Sequence, residues 1–150
     1  MTTYHQLHAH LVFSTKQRRQ LLKDEFARRV HGQLGIILKE EDAVPLCASG
    51  YFDHVHVLFS FKPSQCLSDM VRVLKSRSSK WINEQSGSLN RFAWQRGYSV
   101  FSVSHSQLNT VRHYIDNQEE HHRKRSFREE LELMLKRHGI AYDPQYLDDE

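Results

Sequence analysis

A chain of 150 residues, 39% hydrophobic and 26% charged, is ordinary for one soluble globular domain with a single core. Its 21 Lys and Arg against 18 Asp and Glu leave a net charge of +3, a mild bias that helps a polyanion approach but excludes a histone-like composition. No apolar run nears the roughly 20 residues that span a bilayer, the N-terminus lacks signal-peptide regions, and Cys47 and Cys66 match neither a disulfide framework nor a zinc ribbon, so a cytoplasmic protein with reduced, packed thiols and no membrane partner is expected.

Residues 4–14 alternate Leu7, Ala9, Leu11 and Phe13 with Gln6, His8, His10 and Val12, the period of a half-buried strand. After the basic turn Lys16-Gln17-Arg18-Arg19, Asp24 is placed to cap a helix striped by Phe26, Val30, Leu34, Ile37 and Leu38. Residues 44–51 and 53–61 read as the two strands of a hairpin. Pro63-Ser64 then predicts the start of a second helix that faces inward with Leu67, Val71, Leu74, Ser78 and Trp81 or Ile82. Residues 84–90, with Ser86-Gly87-Ser88, read as a loop. Residues 94–104 resume strand character around Gly97. Ser104 with Gln107 predicts a capping box and a third helix striped by Leu108, Val111 and Ile115. A second box, Ser126 with Glu129, opens a final helix carrying Phe127, Leu131, Met134 and Leu135 and stopped at Gly139.

The order βαββαβ plus two helices is that of an α+β, ferredoxin-like split βαβ fold, in which a four-stranded antiparallel sheet carries two helices on one face. The first and third strands are then central, and the third helix is left to cover the other face. Alternation along Asp53-His54-Val55-His56-Val57-Leu58-Phe59 puts His54 and His56 on one face and Val55, Val57 and Phe59 in the core. In Tyr114-Ile115-Asp116-Asn117-Gln118, Tyr114 and Gln118 are one helical turn apart and share a face. Brought together, two imidazoles and an amide oxygen can hold a divalent cation with a phenol beside it to attack a phosphate. Taken alone the pattern is ambiguous. Eleven histidines make about one H-x-H triplet expected by chance, His8-Ala9-His10 is a second, and imidazole, though the commonest metal ligand, is also often simply hydrogen-bonded, which for the pair taken alone is the favoured reading.

In that order, Asp53-His54-Val55-His56, Lys75-Ser76-Arg77-Ser78-Ser79, Phe92-Ala93-Trp94-Gln95 and Tyr114-Ile115-Asp116-Asn117-Gln118 resemble the HUH single-tyrosine transposases of insertion sequences. The similarity covers a core of about residues 4–122, leaving a C-terminal helix and tail over 123–150 of a single HUH transposase domain, 1–150. The resemblance implies that His54, His56 and Gln118 are metal ligands and Tyr114 is the nucleophile. Glutamine at 118 is closer to the insertion-sequence branch than to the transposases of repetitive extragenic palindromes, which tend to carry asparagine. It also implies single-stranded DNA with hairpin ends as substrate, a 5′-phosphotyrosine intermediate with a free 3′-hydroxyl, and a homodimer with composite sites in many members, so that Tyr114 acts in cis or in trans.

Neutral His and Gln ligands would leave the cation's charge free to polarise a phosphodiester, with Mg²⁺ or Mn²⁺ as the expected cofactor and zinc less favoured without a Cys or a fuller His set. The phenol needs deprotonation, and no dedicated base stands out in the sequence. Lys16, Arg18 and Arg19 in the turn, and Arg72, Lys75, Arg77 and Lys80 on the second helix, are candidate phosphate contacts, with solvated surface charge the competing reading. Trp94 and Tyr98 are candidates for stacking on bases, or for the core. His8 and His10 are expected on the histidine face behind the ligands. The run from Glu119 to Arg125 reads as a solvated helix end and linker, and Tyr142 and Tyr146 lack a partner ligand at helical spacing. Two other classes remain in view. One is a non-catalytic RRM-like nucleic-acid module, although the RNP1 pattern is missing. The other is a water-using metal phosphoesterase, although neither H-x-H-x-D-H nor H-x-T is present.

Overall fold

The computed structural model describes residues 1–86 and 91–147. Its elements are β1 (His8–Ser14), α1 (Asp24–Glu40), β2 (Val44–Tyr51), β3 (His54–Ser60), α2 (Leu67–Ser86), β4 (Ser99–Ser102), α3 (Leu108–Asp116), α4 (Gln118–His122) and α5 (Phe127–Arg137). The four strands form one antiparallel sheet in the order β2-β3-β1-β4, so β1 and β3 are central as the split βαβ arrangement requires. The fold is α+β.

Period-two alternation divides the sheet into two chemically different faces. Ala9, Leu11, Phe13, Val55, Val57 and Phe59 point to the side covered by α1 and α2 and form the main core with Val30, Leu34, Ile37, Val71 and Leu74. The opposite face carries His8, His10, Val12, His54 and His56. β1 is buried on both faces rather than half-buried. The reason is that α5 lays Phe127, Leu131, Met134 and Leu135 over Val12 and Phe101, while α3 and α4 cover the β2 half. Each such apolar side chain contributes about 1.5–3 kcal/mol, so α5 is firmly seated. Its capping box forms as the sequence predicts, and Gly139 takes the left-handed φ of 65° that ends the helix.

Several boundaries differ from the sequence expectation. β1 begins at His8, where pairing to Ser60 begins, and Tyr4 is exposed. Asp24 sits in the first turn of α1 at φ 56°, Lys23 is the N-cap, and no side chain caps the helix. Pro63 and Ser64 lie in a turn, and α2 starts only at Leu67. Residues 84–86 complete the last turn of α2, and 87–90, the remainder of the expected loop, lie outside the described residues. The strand expected over 94–104 shortens to Ser99–Ser102, with Trp94 making an isolated bridge to Thr15. Lys75 Nζ gathers the carbonyls of Gln95, Arg96 and Gly97 at 2.6, 3.0 and 2.8 Å and holds that segment as a turn. The Ser104–Gln107 box does not form; a 3₁₀ turn over His105–Gln107 precedes α3 instead. Cys66 is exposed rather than packed. Among the described residues no helix is long and apolar enough to cross a membrane.

Candidate active site

The hairpin between β2 and β3 launches the two histidines. Its turn is pinned from outside by the Thr15 and Leu22 amides, which donate to the carbonyls of Asp53 and Phe52 at 2.8 and 2.9 Å. His54 and His56 are fully buried on one face. The segment from Tyr114 to Gln118 is not one unbroken helix, since α3 ends at Asp116 and α4 begins at Gln118 after Asn117 at φ −100°, ψ 25°. Both side chains nonetheless reach the same place.

That place is the carboxylate of Glu130, on α5. Its Oε1 lies 3.0 Å from His56 Nε2, 3.3 Å from His54 Nε2 and 3.1 Å from His122 Nε2. Its Oε2 accepts hydrogen bonds from Gln118 Nε2 at 3.0 Å and from the Tyr114 hydroxyl. The Gln118 Oε1 faces the same imidazoles, 3.0 Å from His54 Nε2 and 3.1 Å from His122 Nε2. His54, His56, Gln118 and Tyr114 are thus brought together within one chain, around two residues the sequence reading passed over.

The far nitrogens of the imidazoles are also held. His54 Nδ1 donates to Asp53 Oδ1 and His122 Nδ1 to the Arg125 carbonyl, both at 2.8 Å. His56 Nδ1 meets His10 Nε2 at 2.8 Å, so His10 does stand behind a ligand candidate. His8 turns instead to Ser60 Oγ and lies beside His105, away from the cluster.

The electrostatics follow from burial and these contacts. Burial pulls the His54 imidazole down, but hydrogen bonds to the Asp53 and Glu130 carboxylates outweigh it and raise its pKa to about 9. His56 and His10 are lowered chiefly by burial. Burial raises the Glu130 carboxyl, yet hydrogen bonds from His122, His54 and His56 hold it well below the usual carboxylate range. Tyr114 is pushed up by burial and then by the Glu130 charge, which keeps the phenol protonated.

The donors suit a divalent cation: buried imidazole nitrogens, an amide oxygen and a carboxylate converge. Within this set one ligand atom each from His54, His122 and Glu130 lie within 4.8 Å of one another. A cavity of about 340 Å³ opens onto Tyr114, His122 and Glu130 and is rimmed by Lys124, Arg125 and Arg137. Within the run over 119–125, Glu119, Glu120 and residues 123–125 are exposed as a solvated helix end should be, but the His122 side chain departs from that expectation and is only 2% exposed. Its signal in the sequence was the spacing Tyr114, Gln118, His122 at four and eight residues. The signal for Glu130 was a lone charge on the apolar face of α5, between Phe127 and Met134.

The expected phosphate contacts divide. Lys75 is engaged with the three carbonyls named above, and Arg77 pairs with Glu40 and Glu41 at 2.8 and 3.4 Å. Arg18 donates to the Leu147 carbonyl and lies over the Phe127 ring. Arg72 faces Asp69 at 3.8 Å on an exposed surface, and Lys80 is exposed. Lys16 and Arg19 line a basic cavity of about 150 Å³ with Arg91. Trp94 is core, edge-on to Phe13 and Phe92 and donating from Nε1 to Ser78 Oγ, whereas Tyr98 is 38% exposed.

Residues 3–118 match the family described as Transposase IS200 like. Over 114 residues the chain is 33% identical to the transposase for insertion sequence element IS200 of Salmonella typhimurium, covering 73% of this chain and 74% of that protein. Over 119 residues it is 28% identical to the ISDra2 transposase TnpA of Deinococcus radiodurans, covering 76% and 85%. A crystal structure of a Deinococcus radiodurans R1 protein assigned as a transposase superposes with a TM-score of 0.65 at 27% identity, over 79% of this chain and 95% of that one. The REP-associated tyrosine transposase bound to a REP hairpin shares the fold at a TM-score of 0.51 and 15% identity, over 77% and 69%.

Proposed function

The chain belongs to the IS200-like transposase family, and from that premise we propose that this DNA transposase cleaves and rejoins single-stranded DNA through a covalent 5′-phosphotyrosine on Tyr114, assisted by a divalent cation at His54, His56 and Gln118. One observation carries the reading: the Tyr114 hydroxyl and the paired imidazoles meet the two oxygens of a single buried carboxylate in the same chain. Nucleophile and cation pocket are separated by one side chain.

In the proposed reaction the Tyr114 oxygen forms a bond to phosphorus and the bond to the 3′-oxygen breaks, giving a free 3′-hydroxyl. Exchanging one phosphodiester for another conserves the bond energy, so resealing needs no nucleotide. Glu130 Oε2 holds the Tyr114 hydroxyl hydrogen and fixes the phenol's direction. Asp53 and the Arg125 carbonyl orient the His54 and His122 rings, the usual role of the groups behind metal-binding imidazoles. When bound, a divalent cation supplies positive charge that offsets Glu130, eases ionisation of the phenol and polarises a phosphate oxygen. Lys124, Arg125 and Arg137 at the cavity rim are suited to carry the flanking phosphates.

We further assign hairpin-bearing element ends as substrate and a homodimer as the working form. The first rests on the family and on the likeness in fold to a protein solved on a REP hairpin. Incubation with labelled single-stranded DNA and Mn²⁺ should give a denaturation-resistant protein–DNA adduct that disappears in Tyr114→Phe. Binding without an adduct would mean a nucleic-acid module, and cleavage surviving the substitution would mean a water-using phosphoesterase.

A further inference from the structure

We propose that Glu130 and His122 join His54, His56 and Gln118 in the cation's ligand set, which makes the centre a site of three imidazoles, one carboxylate and one amide oxygen for a first-row transition cation and makes α5 a part of it. This rests on the reading above that the His54–His56 pair holds a cation.

Three Nε2 atoms lie 3.0 to 3.3 Å from one carboxylate oxygen, on side chains 0, 0, 2 and 4% exposed. A carboxylate that deep is seldom found unpaired, and here its surroundings are the imidazole nitrogens themselves. His122 carries the same signature as His54. Its Nδ1 donates to a fixed oxygen, which leaves Nε2 aimed inward, the arrangement that orients a metal-binding imidazole. Charge balance points the same way, because two His and a Gln bring a dication no compensating charge, whereas Glu130 brings one negative charge into a buried site.

The carboxylate is also placed by packing rather than by chance. The capping box starts α5 four residues before Glu130, the Phe127 ring stacks on His54 at 4.3 Å, and Leu131, Met134 and Leu135 clamp the helix to the sheet. Imidazole nitrogens suit Mn²⁺ and Zn²⁺ and serve Mg²⁺ poorly, since Mg²⁺ demands oxygen ligands. With His122 counted, the histidine set is no longer too short for zinc.

A different role for Glu130 gives the opposite sign. If it were only a counter-ion that an arriving cation must expel, removing its charge would tighten binding. Metal-free full-length protein is titrated with Mn²⁺, and bound ion is read from the loss of the free-ion paramagnetic resonance signal. One ion per chain is expected. Binding should weaken in Glu130→Gln and in His122→Asn by at least the roughly 10- to 100-fold that losing a group behind a metal ligand costs. In the wild type a large excess of Mg²⁺ should fail to displace Mn²⁺. Near-ultraviolet circular dichroism verifies that each variant keeps its packing, and the two variants stand on different helices, so loss of one fold leaves the other as a test. Unchanged or tighter binding in both overturns the proposal, as does ready displacement by Mg²⁺. The His54–His56 reading then survives if His54→Ala still abolishes binding, and it falls as well if the wild type binds no ion.

Discussion

Replacing Lys75 with Met separates a structural lysine from a DNA-binding one. The ammonium donates to three successive carbonyls, those of Gln95, Arg96 and Gly97, just before β4 joins β1. A charge-assisted hydrogen bond is worth about 1.5–3 kcal/mol when shielded from water. Only the bond to Gln95 is partly buried, and water can replace the other two, so the loss should be about 2 kcal/mol. Lys75→Met should then lower the urea midpoint with an unchanged slope and the melting temperature by about 4–8 °C. Because the ammonium is occupied, the salt dependence of single-stranded DNA binding should not change. A phosphate contact would instead leave stability intact and reduce the slope of log affinity against log salt by about 0.7. That pair of results would refute the structural assignment.

Three further outcomes follow from particular contacts. Burial, and then the nearby His54, lower the His31 pKa from 6.5 to about 4. The unfolded chain therefore binds a proton that the folded one does not between those values, and stability falls as pH drops from 6.5 to about 4, by about 2–3 kcal/mol after allowing for partial exposure; His31→Asn, followed by denaturation at pH 7 and pH 4.5, should remove that share. A Cβ at Gly50 would stand 2.2 Å from the His54 carbonyl oxygen and 3.0 Å from Val55 Cα, so Gly50→Ala must force the hairpin apart and cost about 3 kcal/mol or more, seen as a lowered melting temperature. Ser126→Ala removes the cap of α5 and should cost about 1 kcal/mol by the same measurement, and no loss would mean the capping box contributes nothing.

Most of the sheet was legible in the sequence because side-chain alternation is local. The paired histidines, the apolar residues interleaved with them, the order of strands and helices, and the cap at Ser126 each show within a few residues. The misplaced boundaries share a cause. Pro63-Ser64 and Ser104 with Gln107 are valid helix-start chemistry, but where a helix starts here is decided by what the chain packs against. Likewise 94–98 has strand composition, yet its backbone is captured by Lys75 from a helix twenty residues away.

The site shows the same division. His54, His56, Tyr114 and Gln118 were expected together from spacing and resemblance, since the histidines share one strand and Tyr114 and Gln118 stand four residues apart, on either side of the break between α3 and α4. His122 and Glu130 were not, because nothing local marks either as more than a helix-end histidine and a stray charge on an apolar stripe. Sequence periodicity thus determined which residue types share a face and in what order the layers form. Only the tertiary structure decided that α5 folds back across the histidine face, because that docking depends on apolar surface presented jointly by β1, β4 and α5, and it alone carries a carboxylate to the point where three imidazoles and a tyrosine meet.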